Sequence, residues 1–496
     1  MKFTRYLCLA LAILLLLSTL AGCADNGDKN PTDTKPVTDD GANDEIQQAL
    51  NDLGTIDWAA NNDGNKDFTV LYADRFKDEV VGINGTVDKD GGASQVINDA
   101  VYERNTLLEE RCNLKFNVIE REWTSIITTV SKEASTRTGD FQLIDTLTSD
   151  QASMATNKYL YDYLALDVDV DQPWWDSGTA DFCLNDAIYF MSGSINFGDD
   201  NVTYVLIFNK DMLKSYPKIE NPYQTVKDWK WTLDYFNEII QGISYDNGDG
   251  LWDENDTYGF VTTYEYGTTF FIGSDLRFVL NDRSSDRPEL YLAEKGRMDR
   301  ALNVLDLSKQ IYHNNNASYM SPPGEEAKGL SCFKSGRGLF YGEVASYLAE
   351  LNKDTEFTYG VLPVPKYDER QEFYRTWTHS SGSSYSVVSA IPDNQTETVG
   401  DILEAMAILS HQKVKPAYYD KMLTSRSIRD EESAEMLDLI FQNRIYDMAM
   451  YFTTLGLDTI FKTSVNANDD KFSSSYSGAA KTFNNRVKGI LRKLTK

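Results

Sequence analysis

Apolar and polar residues follow two rhythms along this chain, and the order in which the rhythms occur carries the first prediction. Residues 68–72, Phe-Thr-Val-Leu-Tyr, form an apolar run of strand length, and 100–110 space their apolar side chains as a helix does. Residues 114–119 predict a second strand, 123–135 a second helix and 141–145 a third, short strand. Strand-helix-strand-helix-strand implies a parallel sheet with right-handed crossovers, whose ligand crevice lies at the carboxyl ends of the strands. Further strands are predicted at 204–209, 260–262 and 339–341, and helical patterns at 298–312 and 402–410. Between them lie a Gly/Asp-rich loop at 246–256 and an aromatic stretch at 258–272. There is no internal repeat and no heptad run.

The amino-terminal pattern is different. Lys2 and Arg5 head an almost wholly apolar run, 6–20, that is too short for an ordinary spanning helix. Leu20-Ala21-Gly22-Cys23 follows, and it resembles the lipobox of bacterial lipoproteins. The resemblance implies removal of residues 1–22 as a signal peptide and acylation of Cys23, which anchors a protein without a transmembrane helix. Residues 24–66 are rich in Asp, Asn, Thr, Gly and Lys. Such a stretch buries too little to offset its ordering entropy and predicts a flexible tether, with a reach of roughly 35 Å for about 40 residues.

Composition narrows the partners. The chain has 496 residues and a formal charge of −28, so nucleic acid and anionic lipid, which need a concentrated basic surface, are excluded as partners. This length exceeds a single core and predicts two lobes. Of five cysteines, Cys112, Cys183 and Cys332 remain after the lipobox, too few and too widely spaced for a disulfide framework or a close-spaced zinc site. The three histidines, His313, His379 and His411, have no metalloprotease spacing and read as structural. No P-loop and no Gly-x-Ser-x-Gly elbow occurs. Absence of these motifs points away from an enzyme, although a glycosidase carboxylate pair is defined only in space.

Six phrases now stand in order: Gly139-Asp140-Phe141-Gln142-Leu143, Pro173-Trp174-Trp175-Asp176, Phe208-Asn209-Lys210-Asp211, Trp229-Lys230-Trp231-Thr232, Phe333-Lys334-Ser335-Gly336-Arg337 and, at 359–366, Tyr-Gly-Val-Leu-Pro-Val-Pro-Lys. With the lipobox they resemble the family 1 extracellular solute-binding proteins of carbohydrate ABC transporters, the group of maltose-binding protein, in lipoprotein form. The resemblance implies an α/β, two-lobed periplasmic-binding-protein fold of type II, each lobe a mainly parallel sheet flanked by helices and joined by interlobe crossovers. It places lobe one at 67–200 and 380–430, and lobe two at 201–379 and 431–496. It implies a monomeric, membrane-anchored receptor on the outer face of the cell membrane that passes a small carbohydrate or oligosaccharide to an ABC permease. A secreted glycan-active enzyme, an oligopeptide receptor and a surface scaffold are the alternatives.

Sugar recognition combines flat aromatic rings with planar polar groups. Tyr264-Glu265-Tyr266 follows a predicted strand and resembles the family's acid-and-aromatic contact segment; Asp150, Glu343 and Trp377 complete the candidate set. Trp174 and Trp175 read as packing. Where the family has Gly-Pro-Trp this chain has Gly342-Glu343-Val344, so a stacking tryptophan is missing. No cofactor is required, but Asn247, Asp249, Gly250, Asp253 and Asp256 match positions 3, 5, 6, 9 and 12 of an EF-hand-like loop and make structural calcium a candidate, with Tyr245 at position 1 as a departure.

Overall fold

The structure is a computed structural model that describes residues 40–84, 93–281, 283, 287–423 and 430–495. The signal segment, Cys23 and the first part of the expected tether lie outside the described residues. The chain up to Glu45 is a unit of its own, and Ile46–Lys496 form the other. Residues 46–66, expected to belong to the tether, are part of this larger unit. Helix α1 (Asp40–Asp52) leads to Ile56 and Trp58, which are buried, and the Trp58 indole donates to Asp67 O at 3.0 Å while meeting Phe68 edge-on. Average composition hid these few large apolar residues, which are enough to fix the segment.

Eleven strands position the site: β1 (Asp67–Ala73), β2 (Lys115–Arg121), β3 (Leu143–Leu147), β4 (Tyr204–Asn209), β5 (Tyr258–Thr263), β6 (Ser318–Ser321), β7 (Gly338–Val344), β8 (Tyr359–Leu362), β9 (Thr376–Trp377), β10 (Ser383–Val387) and β11 (Arg444–Ile445). One sheet has the order β10-β3-β1-β2 and the other β8-β4-β7-β5-β6. In the first only β10 runs against the rest, and in the second only β4 does. Residues of β3, β4 and β5 are buried throughout, because both faces of each sheet are covered. Edge strand β2 carries Lys115, Glu120 and Arg121 outward, which discourages pairing with another chain.

Around the sheets lie α2 (Ala93–Cys112), α3 (Ile126–Thr136), α4 (Thr148–Thr156), α5 (Lys295–His313), α6 (Thr396–Leu423), α7 (Glu431–Gln442) and α8 (Phe472–Thr495). α2 and α6 pack along each other, with Arg104 sealed between them and donating to Glu79 O at 2.9 Å. α7 covers β8, whereas α8, expected with lobe two, also packs on α4 beside the first sheet.

Three segments run between the two sheets. The chain leaves the first sheet through Asp200–Tyr204 and returns through Thr376–Gly382; Thr203 bridges Thr378, and Thr376 Oγ1 donates to Tyr204 O at 2.7 Å. The third segment, β11, pairs in parallel with β9. No described helix is long and apolar enough to cross a membrane.

Candidate ligand-binding site

The return segment at 376–382 fixes how the two sheets meet. At one end it holds Tyr204, which opens β4 opposite Val344, the last residue of β7. At the other, Gly382 O accepts the Thr148 N–H just past β3. Both sheets therefore present the carboxyl ends of their parallel strands to the same linker, where a ligand crevice belongs.

On the first sheet, β1 ends in Asp74 and Arg75, β2 in Glu122 and Trp123, and β3 leads to Asp150 in α4. Asp74 Oδ1 accepts the Trp123 backbone N–H at 3.1 Å, tying the two strand ends together. The Arg75 guanidinium lies 4.9 Å from the Trp123 ring centroid and leaves the indole 40% exposed. Asp150 is half-buried; burial pushes its carboxyl up to about 6, against the opposing pull of the Thr146 hydroxyl at 3.5 Å and of the Arg75 charge. A flat aromatic, a cation and two carboxylates thus converge on one rim, a combination suited to the apolar face and hydroxyl equator of a pyranose.

On the second sheet, Tyr264 and Glu265 follow β5 and Glu343 is the penultimate residue of β7. Glu265 pairs with Lys462, whose ammonium also lies 5.8 Å from the Tyr264 ring centroid. Glu343 accepts from Thr263 Oγ1 at 3.2 Å and Val344 N at 2.7 Å, and burial pushes its carboxyl up to about 7. The structure brings Tyr264 and Glu265 together on this rim with Glu343 buried beside them, and places Asp150 across the linker.

Tyr266 and Trp377 are elsewhere. Tyr266 is buried with its ring edge-on to Tyr204, Phe260 and Phe270, and its hydroxyl donates to Val205 O at 3.2 Å. Trp377 is stacked on Tyr204 at 5.0 Å and donates to Thr269 Oγ1 at 3.1 Å. The expectation that they offer stacking faces is corrected. The 3-10 turn at Tyr264–Tyr266 swings the third residue into the core, and Trp377 is buried in the strand that links the two sheets. Sequence reasoning missed Asp74, Arg75 and Trp123. Their signal was position, since each lies two to four residues past the end of a predicted strand.

No protein-family model matches the chain, and no curated protein matches it by sequence. Solved structures do match. The maltose/maltodextrin-binding domain of Bdellovibrio bacteriovorus, bound to maltotriose, is 12% identical with a TM-score of 0.53 over 85% of this chain and 100% of its own. The maltose-binding periplasmic protein of Listeria monocytogenes, in complex with maltose, is 14% identical with a TM-score of 0.53 over 87% and 98%. A family 1 extracellular solute-binding protein of Bifidobacterium longum subsp. infantis is 13% identical with a TM-score of 0.51 over 87% and 99%. The chain shares the two-lobed α/β fold of these proteins.

Within that fold the acidic loop makes its own hydrogen bonds. Asp246 Oδ1 accepts from Gly248 N and Gly250 N, Asn247 Oδ1 from Asp249 N, and Asp249 Oδ1 from Leu251 N. Asp253 Oδ1 accepts from Asn255 N, while buried Asp256 takes Asn247 N and Asp253 N, each at 2.8 Å. Gly248 and Gly250 have φ of +106° and +80°, which the tight turn requires. Among the described residues no group of three or more His, Cys, Asp or Glu is arranged to hold a metal ion. The carboxylates expected to bind calcium are turned onto the loop's own N–H groups.

The remaining candidates are structural. Cys112, Cys183 and Cys332 are free and buried, and burial pushes their thiols up to about 12, 11 and 12. The histidines serve local bonds: His313 Nε2 to Val465 O at 2.7 Å, His379 Nδ1 to Ser381 Oγ at 2.8 Å and His411 Nδ1 to Ser194 Oγ at 2.7 Å. Trp174 and Trp175 are packed in the core, with the Trp174 indole donating to Glu404 at 2.5 Å.

Proposed function

We propose that this chain is a solute receptor that closes two lobes on a carbohydrate and delivers it to an ABC permease. The observation that carries the reading is the pair of rims, Asp74, Arg75, Trp123 and Asp150 on one sheet and Tyr264, Glu265 and Glu343 on the other, set at carboxyl strand ends that meet at one hinge linker. Their chemistry is that of sugar recognition, and neighbours of the same fold are described with maltose and maltotriose bound. Closure around a ligand needs no covalent step, so the reading includes no catalysis. The lobe limits proposed from sequence stand with this reading, except that the last helix serves both lobes. Cys23 is the proposed lipid anchor to the outer face of the membrane, and the receptor is taken to act as a monomer.

Thermal-shift screening against a library of malto-oligosaccharides, other glycans and peptides tests the proposal. A glycan present at 100 times its Kd should add about 2.7 kcal/mol of apparent stability. A shift with peptides alone, or steady release of cleaved glycan, would replace the receptor reading with one of its rivals. For the anchor, Cys23→Ser should release the protein from membranes, and full retention of the variant after a high-salt wash would remove the lipid from the account.

A further inference from the structure

One guanidinium ties the hinge together. Arg444 opens β11, with Nη2 2.6 Å from Asp176 Oδ2 and Nη1 2.6 Å from Asp200 Oδ1, 3.3 Å from Asp199 Oδ2 and 3.5 Å from Thr203 Oγ1. The Tyr446 hydroxyl, two residues on, lies 3.0 Å from Asp176 Oδ2 and 3.2 Å from Asp199 Oδ2. Lys415 of α6 pairs with the other oxygen of Asp200, and the Phe441 ring centroid lies 5.3 Å from the guanidinium carbon. The Arg444 side chain is 7% exposed, Asp199 1% and Asp200 0%. Four segments meet here: the loop at Asp176, the start of the first crossing at Asp199–Thr203, α6, and β11.

Stability alone is a poor reason for such a cluster. Removing several charges from water costs about as much as their attraction returns, and a packed apolar group would serve equally well. What a guanidinium adds is a planar fork of donors that fixes direction as well as distance. Here the fork points at the segments that must rotate against each other when the lobes close.

We infer that Arg444 is the positioning residue of the hinge: it sets the angle at which the empty lobes rest, and thereby the strength of ligand binding, without touching the ligand. Its effect on affinity rests on the receptor reading; its effect on the empty protein does not. Spin labels at Lys132→Cys in α3 and Lys295→Cys in α5, both exposed on different lobes, report the interlobe distance by electron-electron resonance. Arg444→Met should move or broaden the ligand-free distance and shift the Kd for maltotriose by about fivefold or more. Arg444→Lys should fail to restore either, because one ammonium cannot span three carboxylates. If Arg444→Met does not fold, Asp176→Asn, which removes one corner of the fork, takes its place with the same expectation. An unchanged ligand-free distance in a folded variant, or full rescue by lysine, overturns the inference. A moved distance in a protein that takes no maltotriose leaves the hinge role standing and counts against the ligand reading instead.

Discussion

Replacing Trp123 with alanine is the sharpest test of the site. The indole is 40% exposed beside Arg75. A tryptophan buries up to about 250 Å² in total, so about 100 Å² remains for a sugar to cover. At about 25 cal/mol per Å² that contact contributes about 2.5 kcal/mol, or a loss of roughly 70-fold in Kd on removal. The fold should be retained, because the Trp123 backbone N–H that bonds to Asp74 is still present in the variant. Isothermal titration with the best glycan from screening gives the affinity, and near-UV circular dichroism verifies folding. A loss below about threefold in a folded variant would show that the indole does not stack on the ligand, and the first-sheet rim would lose its main apolar element.

Three further outcomes follow from the same geometry. Asp150, with its carboxyl raised to about 6 by burial, should accept a ligand hydroxyl only when ionised; affinity should then fall about tenfold per pH unit below 6, and Asp150→Asn should abolish that slope in titrations from pH 4.5 to 8. Glu404 is raised from 4.5 to about 7 by burial, so the folded state holds its proton more tightly; the stability this gives is complete below pH 4.5 and is lost as pH rises through 7, at most about 3 kcal/mol, and Glu404→Gln should flatten the denaturation profile across that window. Asp256→Ala leaves two loop N–H groups without their acceptor and should cost about 2 kcal/mol in urea unfolding, equally with and without chelator, whereas a loss seen only when calcium is present would show that this loop binds the metal.

The strands were legible where a run is apolar throughout and ends in polar residues that cap a helix. Residues 204–209 are such a run, and Asn209 both ends it and accepts the Met212 N–H at 2.8 Å. The second helix starts three residues and ends one residue later than expected, the third strand is shifted by two, and the pattern at 402–410 proved to be the middle of the long α6, whose Pro416 and polar carboxyl half masked its extent. The site was less legible, for a physical reason. An aromatic at a strand end faces the crevice or the core according to the turn that follows, and that turn depends on tertiary packing, as Tyr266 and Trp377 illustrate. Trp123 was read as the start of a helix, although its place after β2 marked it as a rim residue. Arg444 could not be found at all, because its partners Asp176 and Asp200 lie 268 and 244 positions away.

The outer strand β10 of the first sheet has a consequence for the order of assembly. It pairs antiparallel with β3, Ser383 opposite Leu147, after the whole second sheet has intervened in the chain. During synthesis β1, β2 and β3 are complete long before β10 emerges, so a nascent chain carries a three-strand sheet whose β3 edge, unlike the charged edge of β2, still waits for its partner. Closing that loop is slow, and the waiting edge is a place for another chain to pair. Fragments ending before residue 383 should therefore aggregate rather than fold. The full chain should complete its first sheet, with β10 seated on β3, only near the end of synthesis.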